Sequence, residues 1–410
     1  MKLLIKNGRV VDPASGRDEH ADVAIAAGRV VTIGKVSADF NASRTLDASG
    51  LVVAPGFFDL AARLREPGHE HEGMLESEMA AAVAGGVTSL VCPPDTDPVL
   101  DEPGLVQMLK FRARSLNLAH VYPLGALTRN LAGEVLTEMA ELTEAGCVGF
   151  SQAEVGLKDT LVLHRALQYA ATFGYTTWLR PNDAWLGNGV AAKGALATRM
   201  GLTGVPVIAE TIALATIFEL VRAAKGEGLP VTCDVSVNQL HLTDMDIGYF
   251  NAAMRLTPPL RQQRDRDAIR AALADGTVDA LVSDHTPVDE DMKNLPFAEA
   301  EPGATGLELL LSLALKWGEE QRIGLGKTLA AVTSEPVRAL GDALGSLSSS
   351  AGRLVEGGVA DVCLFDENER WTVQPAALKS QGKHSPFAGY ELPGRVKYTL
   401  VAGHVAYEAA

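Results

Sequence analysis

The chain has 410 residues, more than one hydrophobic core usually supports, which points to a large domain with a smaller satellite. Hydrophobic residues make up 47% and charged residues 21%, and no uninterrupted apolar run approaches the roughly 20 residues of a membrane helix, which excludes a membrane protein. The formal charge of −15 argues against nucleic acid and anionic membrane as partners, because both demand basic patches.

The N-terminal MKLLIKNGRVVDP is too short in its apolar stretch, and turns too soon into Asn-Gly and Asp-Pro, to be a secretory signal, so a cytoplasmic location is expected. LLIKNGRVVD, ADVAIAAGRVVTIG and TLDASGLVVAPG then give short alternating strands broken by glycine turns. From residue 51 the pattern becomes apolar strands alternating with helices, the signature of a parallel sheet wrapped by helices. The strands are predicted in LVVAPGFFDL, VTSLVCPP, LAHVYPLGAL, CVGFSQ, YTTWLR, LPVTCDVSV and VDALVSDH, with helices such as LESEMAAAVAGG and TLVLHRALQYAATFG between them. A (β/α)8-type barrel follows, with the stretch from Glu210 to Val231 too short for a full unit, so that the sixth barrel strand is expected to be missing. GRLVEGGVADVCLFD and GRVKYTLVAGHVAYE echo the opening strands, and the two ends predict one composite β-sandwich domain. The divisions are residues 1–50, 51–345 and 346–410. Cys92, Cys147, Cys233 and Cys363 are widely spaced in apolar runs and are expected to be buried, reduced thiols.

Strand C-termini form the mouth of such a barrel, which would place Asp59, Pro93, Gln152, Arg180 and Asp284 there. PGFFDLAARLREPGHEHEG at the first strand, GGVTSLVCPPDTDP at the second and DALVSDHTPVDEDMKNLPFAEAEPGATGLELLL near the last together resemble dihydroorotase of the amidohydrolase superfamily. The resemblance runs over nearly the whole chain and implies interconversion of carbamoyl aspartate and dihydroorotate with one or two zinc ions. Zinc lowers the pKa of bound water toward about 7 and polarises the carbonyl.

This chain departs from the family where that ion would sit. The Asp-x-His-x-His pattern reads Asp59-Leu60-Ala61-Ala62-Arg63, the fourth-strand acidic or modified-lysine ligand falls on Gln152, and the fifth-strand histidine on Arg180. Methyl, amide and guanidinium groups stand at four lost ligand positions, and Asp284 alone survives as a vestige. On the substrate side the resemblance retains Arg65 and His285, while Asp95, Thr257 and Val288 replace family contacts. The charge removed with the metal would be balanced by Arg63 or Arg180 pairing with Asp284 or Asp59.

His69 and His71 fall in a polar loop, and Glu154 lies just beyond the fourth strand; with Asp284 they are the remaining candidates for a non-standard metal site. His120, His164, His241, His384 and His404 are single and read as surface or satisfied structural residues. Neither a GxSxG elbow nor a GxxxxGK[ST] phosphate loop is present. The expectation is therefore a non-catalytic chain without a cofactor. The resemblance implies that its partner is the aspartate carbamoyltransferase catalytic chain, in a homodimer or larger hetero-oligomer. The alternatives are an active, zinc-dependent cyclic amidohydrolase and a metal-free binder of carbamoyl aspartate anchored on Arg65.

Overall fold

The computed structural model describes residues 2–156, 158–225 and 231–409. Five strands open the chain: β1 (Lys2–Asp12), β2 (Arg17–Ala26), β3 (Arg29–Gly34), β4 (Arg44–Asp47) and β5 (Val52–Pro55). The run LVVAPGFFDL does not form one strand. It breaks at Gly56, where a Cβ would fall onto the Thr88 side chain, so Val52–Pro55 joins the terminal sheet and β6 (Phe57–Asp59) starts the barrel.

The barrel then continues through α1 (Leu75–Ala84), β7 (Val87–Cys92), α2 (Pro103–Leu116), β8 (His120–Pro123), β9 (Gly125–Ala126), α3 (Met139–Ala145), β10 (Phe150–Ser151), α4 (Thr160–Phe173) and β11 (Thr177–Trp178). Next come β12 (Ala191–Ala192), α5 (Ala195–Met200), β13 (Gly204–Val205), α6 (Ile208–Lys225), β14 (Asp234–Ser236) and β15 (Ala280–Val282). Helix α4 shows why these segments are helical: Leu163, Ala166, Leu167 and Ala170 form its buried stripe, the Asp159 carboxylate accepts the Leu161 N–H, and Gly174 ends it in the left-handed conformation.

Strands β6, β7 and β8 pair in parallel, as do β9, β10 and β11, and β8 and β9 are one stretch interrupted at Leu124. β14 pairs directly with β15, and an Ala62–His285 bridge, with the Arg63 N–H donating to the His285 carbonyl, ties β15 back to the first strand. The expectation of a missing sixth strand agrees with this topology: β14 lies within LPVTCDVSV, one of the seven strands read from the sequence, and no ladder joins β11 to β14 among the described residues. The excursion β12–α5–β13 and helix α6 run between them instead. The excursion went unread because its strands have two residues each and it begins upstream of Glu210. The glycine turn expected after α6 lies outside the described residues.

The chain returns to the terminal sheet with β16 (Val362–Thr372), β17 (Glu391–Val401) and β18 (His404–Glu408). Both ends share one eight-stranded sheet ordered β18-β17-β16-β5-β1-β2-β3, with β4 on β1. Val52, Ala54, Cys363 and Phe365 turn into the barrel core, while Leu3, Ile5, Val53 and Leu364 form a second cluster within the β-domain. Cys92, Cys147 and Cys363 are buried thiols as expected, but Cys233 is exposed. It precedes β14, which has a paired strand on one side only among the described residues, so its end is left uncovered. No described helix is long and apolar enough to cross a membrane.

Candidate functional site

The mouth is organised around Arg63. Four residues beyond the end of β6, its Nε donates to Asp95 Oδ2 at 2.8 Å, its Nη2 to Glu154 Oε1 at 3.1 Å and its Nη1 to Thr286 Oγ1 at 3.0 Å. Asp284 Oδ1 stands 4.0 Å from Nη1. Arg180, after β11, donates through Nη1 to the other oxygen of Glu154. Glu154 is therefore a bridge between two guanidiniums, and three carboxylates surround two cations. Burial pulls both guanidiniums down in pKa. At Arg63 the adjacent Asp95 and Asp284 more than offset this, whereas Arg180, repelled by Arg63, is lowered to about 10; both stay charged at neutral pH.

Asp284 reaches this cluster because its backbone is left-handed, with φ 52°, at the end of β15. Burial raises its carboxyl, against the pull of Arg180, Arg63 and the Ser236 hydroxyl at the end of β14. Its neighbour His285 points the opposite way and is fully buried, which removes it from the substrate side. Its Nδ1 accepts the N–H of Gly306 at 3.1 Å, so Nε2 carries the proton donated to Glu78 at 2.8 Å.

The other expected mouth residues lie deeper. Pro93 is buried, and the Gln152 amide accepts from Thr128 at 2.9 Å and donates to the Leu131 carbonyl at 2.7 Å, away from the arginines. Asp59 pairs with neither arginine: it accepts from the Ser283 hydroxyl, from the Ser283 N–H at 3.1 Å and from the Ala61 N–H at 3.2 Å. The expected guanidinium balance is thus present, but its main partners are Asp95 and Glu154, with Asp284 more distant. Sequence reading treated Asp95 only as a lost substrate contact and missed Thr286, Ser236 and Ser283 altogether.

Burial pushes the Asp59 carboxyl up to about 7, although three hydrogen bonds pull the other way. Its folded pKa then lies above its unfolded value of about 3.9, so no penalty exists below that value. As pH rises from about 4 to 7 the unfolded chain ionises first and the fold loses stability. Asp59→Asn cannot ionise and should lack this slope. Its stability relative to the native chain should rise by roughly 2–4 kcal/mol between about pH 4 and pH 8 in urea titrations. Parallel pH profiles for the two proteins would contradict this assignment.

Arg65 is committed elsewhere, its Nε contacting Glu72 Oε2 at 2.6 Å and the Pro287 carbonyl at 2.8 Å, with Glu301 3.9 Å from Nη2. This disagrees with a free anchor for a substrate carboxylate. His69 Nδ1 and His71 Nε2 each stand 3.5 Å from Glu72 Oε1, so they belong to that loop cluster and not to the mouth. Val288 is buried, and Thr257 is half-buried. Among the single histidines, His120 lies 3.2 Å from Asp361 Oδ2, His241 Nε2 meets the Leu313 carbonyl at 2.9 Å, and His404 is exposed. His164 Nδ1 and His384 Nε2 are buried without a partner, against the expectation that they are satisfied.

A family zinc site needs three or four nitrogen, oxygen or sulfur donors at fixed geometry. The donor set here does not fit one. Ala61 offers a methyl, Arg63 and Arg180 are cations, and Gln152 spends its amide on Thr128 and Leu131. Among the described residues, no three His, Cys, Asp or Glu side chains are grouped to hold an ion.

Residues 50–236 match the family model described as Dihydro-orotase-like. The chain is 44% identical, over the full length of both proteins, to a dihydroorotase-like protein of Pseudomonas aeruginosa. It is 42% identical to one of Pseudomonas putida, over 99% of each chain, and 38% identical, over all of both chains, to a dihydroorotase of Geobacter sp.. Its fold is similar to that of the L-hydantoinase (dihydropyrimidinase) of Arthrobacter aurescens, with a TM-score of 0.85 over 99% of this chain and 96% of that one, at 24% identity. With the barrel, the composite terminal sheet and these relatives taken together, the chain belongs to the dihydroorotase-like family of the amidohydrolase superfamily.

Proposed function

We propose that this protein is a non-catalytic dihydroorotase homologue that supports the assembly or stability of aspartate carbamoyltransferase in pyrimidine biosynthesis. The observation that carries the reading is the Arg63–Glu154–Arg180 bridge at the position where the family's ion would be held. Two fixed cations repel a divalent ion, and the carboxylates that could bind it are already paired. A barrel with such a mouth retains its outer surface, which is what a partner chain uses.

Co-expression with the aspartate carbamoyltransferase catalytic chain should give one stoichiometric complex on size exclusion. Separate elution at micromolar concentration would count against the proposal.

The second reading is an active cyclic amidohydrolase, favoured by relatives of 38% identity named dihydroorotase. It requires Asp284, Glu154, His69 or His71 to regroup around zinc. Metal analysis combined with dihydroorotate turnover separates the two: the non-catalytic reading expects less than about 0.1 zinc per chain and no chelator-sensitive activity. Near-stoichiometric zinc with turnover would establish the enzyme. Carbamoyl aspartate binding through Arg65 would first have to break the Arg65–Glu72 pair, and thermal stabilisation by that ligand is its test.

A further inference from the structure

A cleft opens beside the mouth, between the first turn of α4 and the first half of α6. Leu163 of α4, Leu179 after β11, and Ala213 and Ile217 of α6 form its apolar walls. Leu163 is buried, and Leu179 and Ile217 pack against the barrel core, so these walls are fixed by the fold. Of the mouth residues, Gln152 and Arg180 line the cleft, while Arg63, Asp95 and Asp284 do not. Arg65 is absent from it too, which separates the cleft from the substrate side that the family resemblance implies.

The cleft holds about 140 Å³. That is close to the roughly 150 Å³ of a cavity that accepts a benzene ring. Small-molecule sites combine such an apolar lining with a few placed polar groups. At the rim Lys158, from the loop after β10, stands 5.3 Å over the ring of Trp185, from the loop after β11, so the two loops are joined there.

Lys158, Asp159, Arg180 and Asp183 are the charged residues that line the cleft. Asp159 accepts the Leu161 N–H at 2.8 Å, and Asp183 accepts those of Trp185 and Leu186 at 2.9 and 2.8 Å, so both carboxylates cap backbone donors. Lys158 is held by Trp185. Arg180 differs: its Nη1 donates to Glu154, but its Nη2 is buried and has no acceptor among the described residues. Glu154 also serves Arg63, so one carboxylate is divided between two guanidiniums. Folded proteins rarely leave a buried donor unmet, so Nη2 marks where an acceptor atom belongs.

We infer that this cleft binds a small organic monocarboxylate, with its carboxylate on Arg180 Nη2 and a flat apolar body between Leu163 and Ile217. A carboxylate oxygen meets a guanidinium N–H in a charge-assisted bond, roughly twice as strong as a neutral one. A divalent anion such as phosphate would bring a second negative charge close to Asp159 and Asp183, which already line the cleft. The inference does not depend on the transferase reading, because it concerns the protein alone.

Benzoate is the probe. Isothermal titration of the purified full chain should give one site per chain with a dissociation constant of about 1 mM or below. Benzyl alcohol, with the same ring and no charge, should bind roughly 10–100-fold more weakly. Arg180→Met removes the donor, and Ala213→Phe fills the cleft while leaving every charge in place. Each should lower benzoate affinity by about 10-fold or more without altering the circular dichroism spectrum. If Arg180→Met fails to fold, Ala213→Phe decides alone. The absence of saturable binding at about 10 mM benzoate overturns the inference, as does equal affinity for benzyl alcohol. Benzoate binding untouched by Ala213→Phe also overturns it, since the anion would then sit outside the cleft.

Discussion

Arg63→Leu should destabilise the protein by about 3 kcal/mol at neutral pH. The substitution keeps much of the side-chain volume but removes the cation that Asp95, Glu154 and Asp284 share. Breaking a buried pair costs roughly 3–5 kcal/mol, and the lower end applies because these carboxylates keep 18% to 34% of their side-chain surface. The pH dependence is diagnostic. Without Arg63 the buried Asp284 loses one of the two cations that oppose its upward shift, so the pKa of its folded carboxyl rises further; the damage is fully present above that raised folded value and relieved as pH falls through it toward about 4. Arg63→Lys should recover part of the loss, since an ammonium keeps the charge but cannot reach three acceptors as a planar fork. Urea midpoints at pH 7 and pH 4.5 check this. Equal stability of Arg63→Leu and native protein at pH 7 would mean that the cluster is not the balance described.

Glu78→Ala should cost more, roughly 4–5 kcal/mol. The carboxylate is fully buried and accepts from His285 Nε2 at 2.8 Å, the Ser380 hydroxyl at 2.5 Å, the Gln381 N–H at 2.9 Å and the Ser77 hydroxyl at 2.8 Å. Alanine leaves all four donors without this partner. Burial alone would raise the Glu78 carboxyl, but His285, Ser380 and Gln381 more than offset it and hold it below its usual value. Its stabilisation is therefore present above the unfolded pKa and lost as pH falls through the folded one. Glu78 on α1 also holds the segment that returns after the barrel, so amide exchange should accelerate around residues 378–386 in the variant. Glu78→Gln keeps one oxygen and should lose about half as much. Unchanged exchange in Glu78→Ala would show that the segment is held by other contacts.

The barrel was legible because long apolar strands and periodic helices repeat, and α1 and α4 lie where their patterns place them. The opposite facing of Asp284 and His285 was legible too, since neighbours on one strand alternate. The replaced ligand positions could be located by spacing, but their new partners could not. Arg63 and Asp95 sit on different strand ends 32 residues apart, and only the closed barrel brings them to 2.8 Å. Arg65 and Glu72 are close in sequence, yet their pairing depends on a loop that begins with Arg65 itself at φ 63°, a conformation its residue type does not announce. The facing of α6 was hidden for another reason: TIALATIFELV shows that a helix is apolar, not that Ile217, Leu220 and Val221 pack on the core while Ile212, Leu214 and Phe218 stay exposed.

Strand β5 lies between β1 and β16, so one of its two edges is satisfied only when Val362–Phe365 arrives about 300 residues later. At ~5–20 residues per second, synthesis leaves that edge open for roughly 15–60 s. A nascent chain in this interval carries Val52–Pro55 and its neighbours as an unfinished template, and a holdase chaperone at the ribosome exit would find its substrate there. Truncation after the barrel should therefore give aggregates and not a smaller soluble domain.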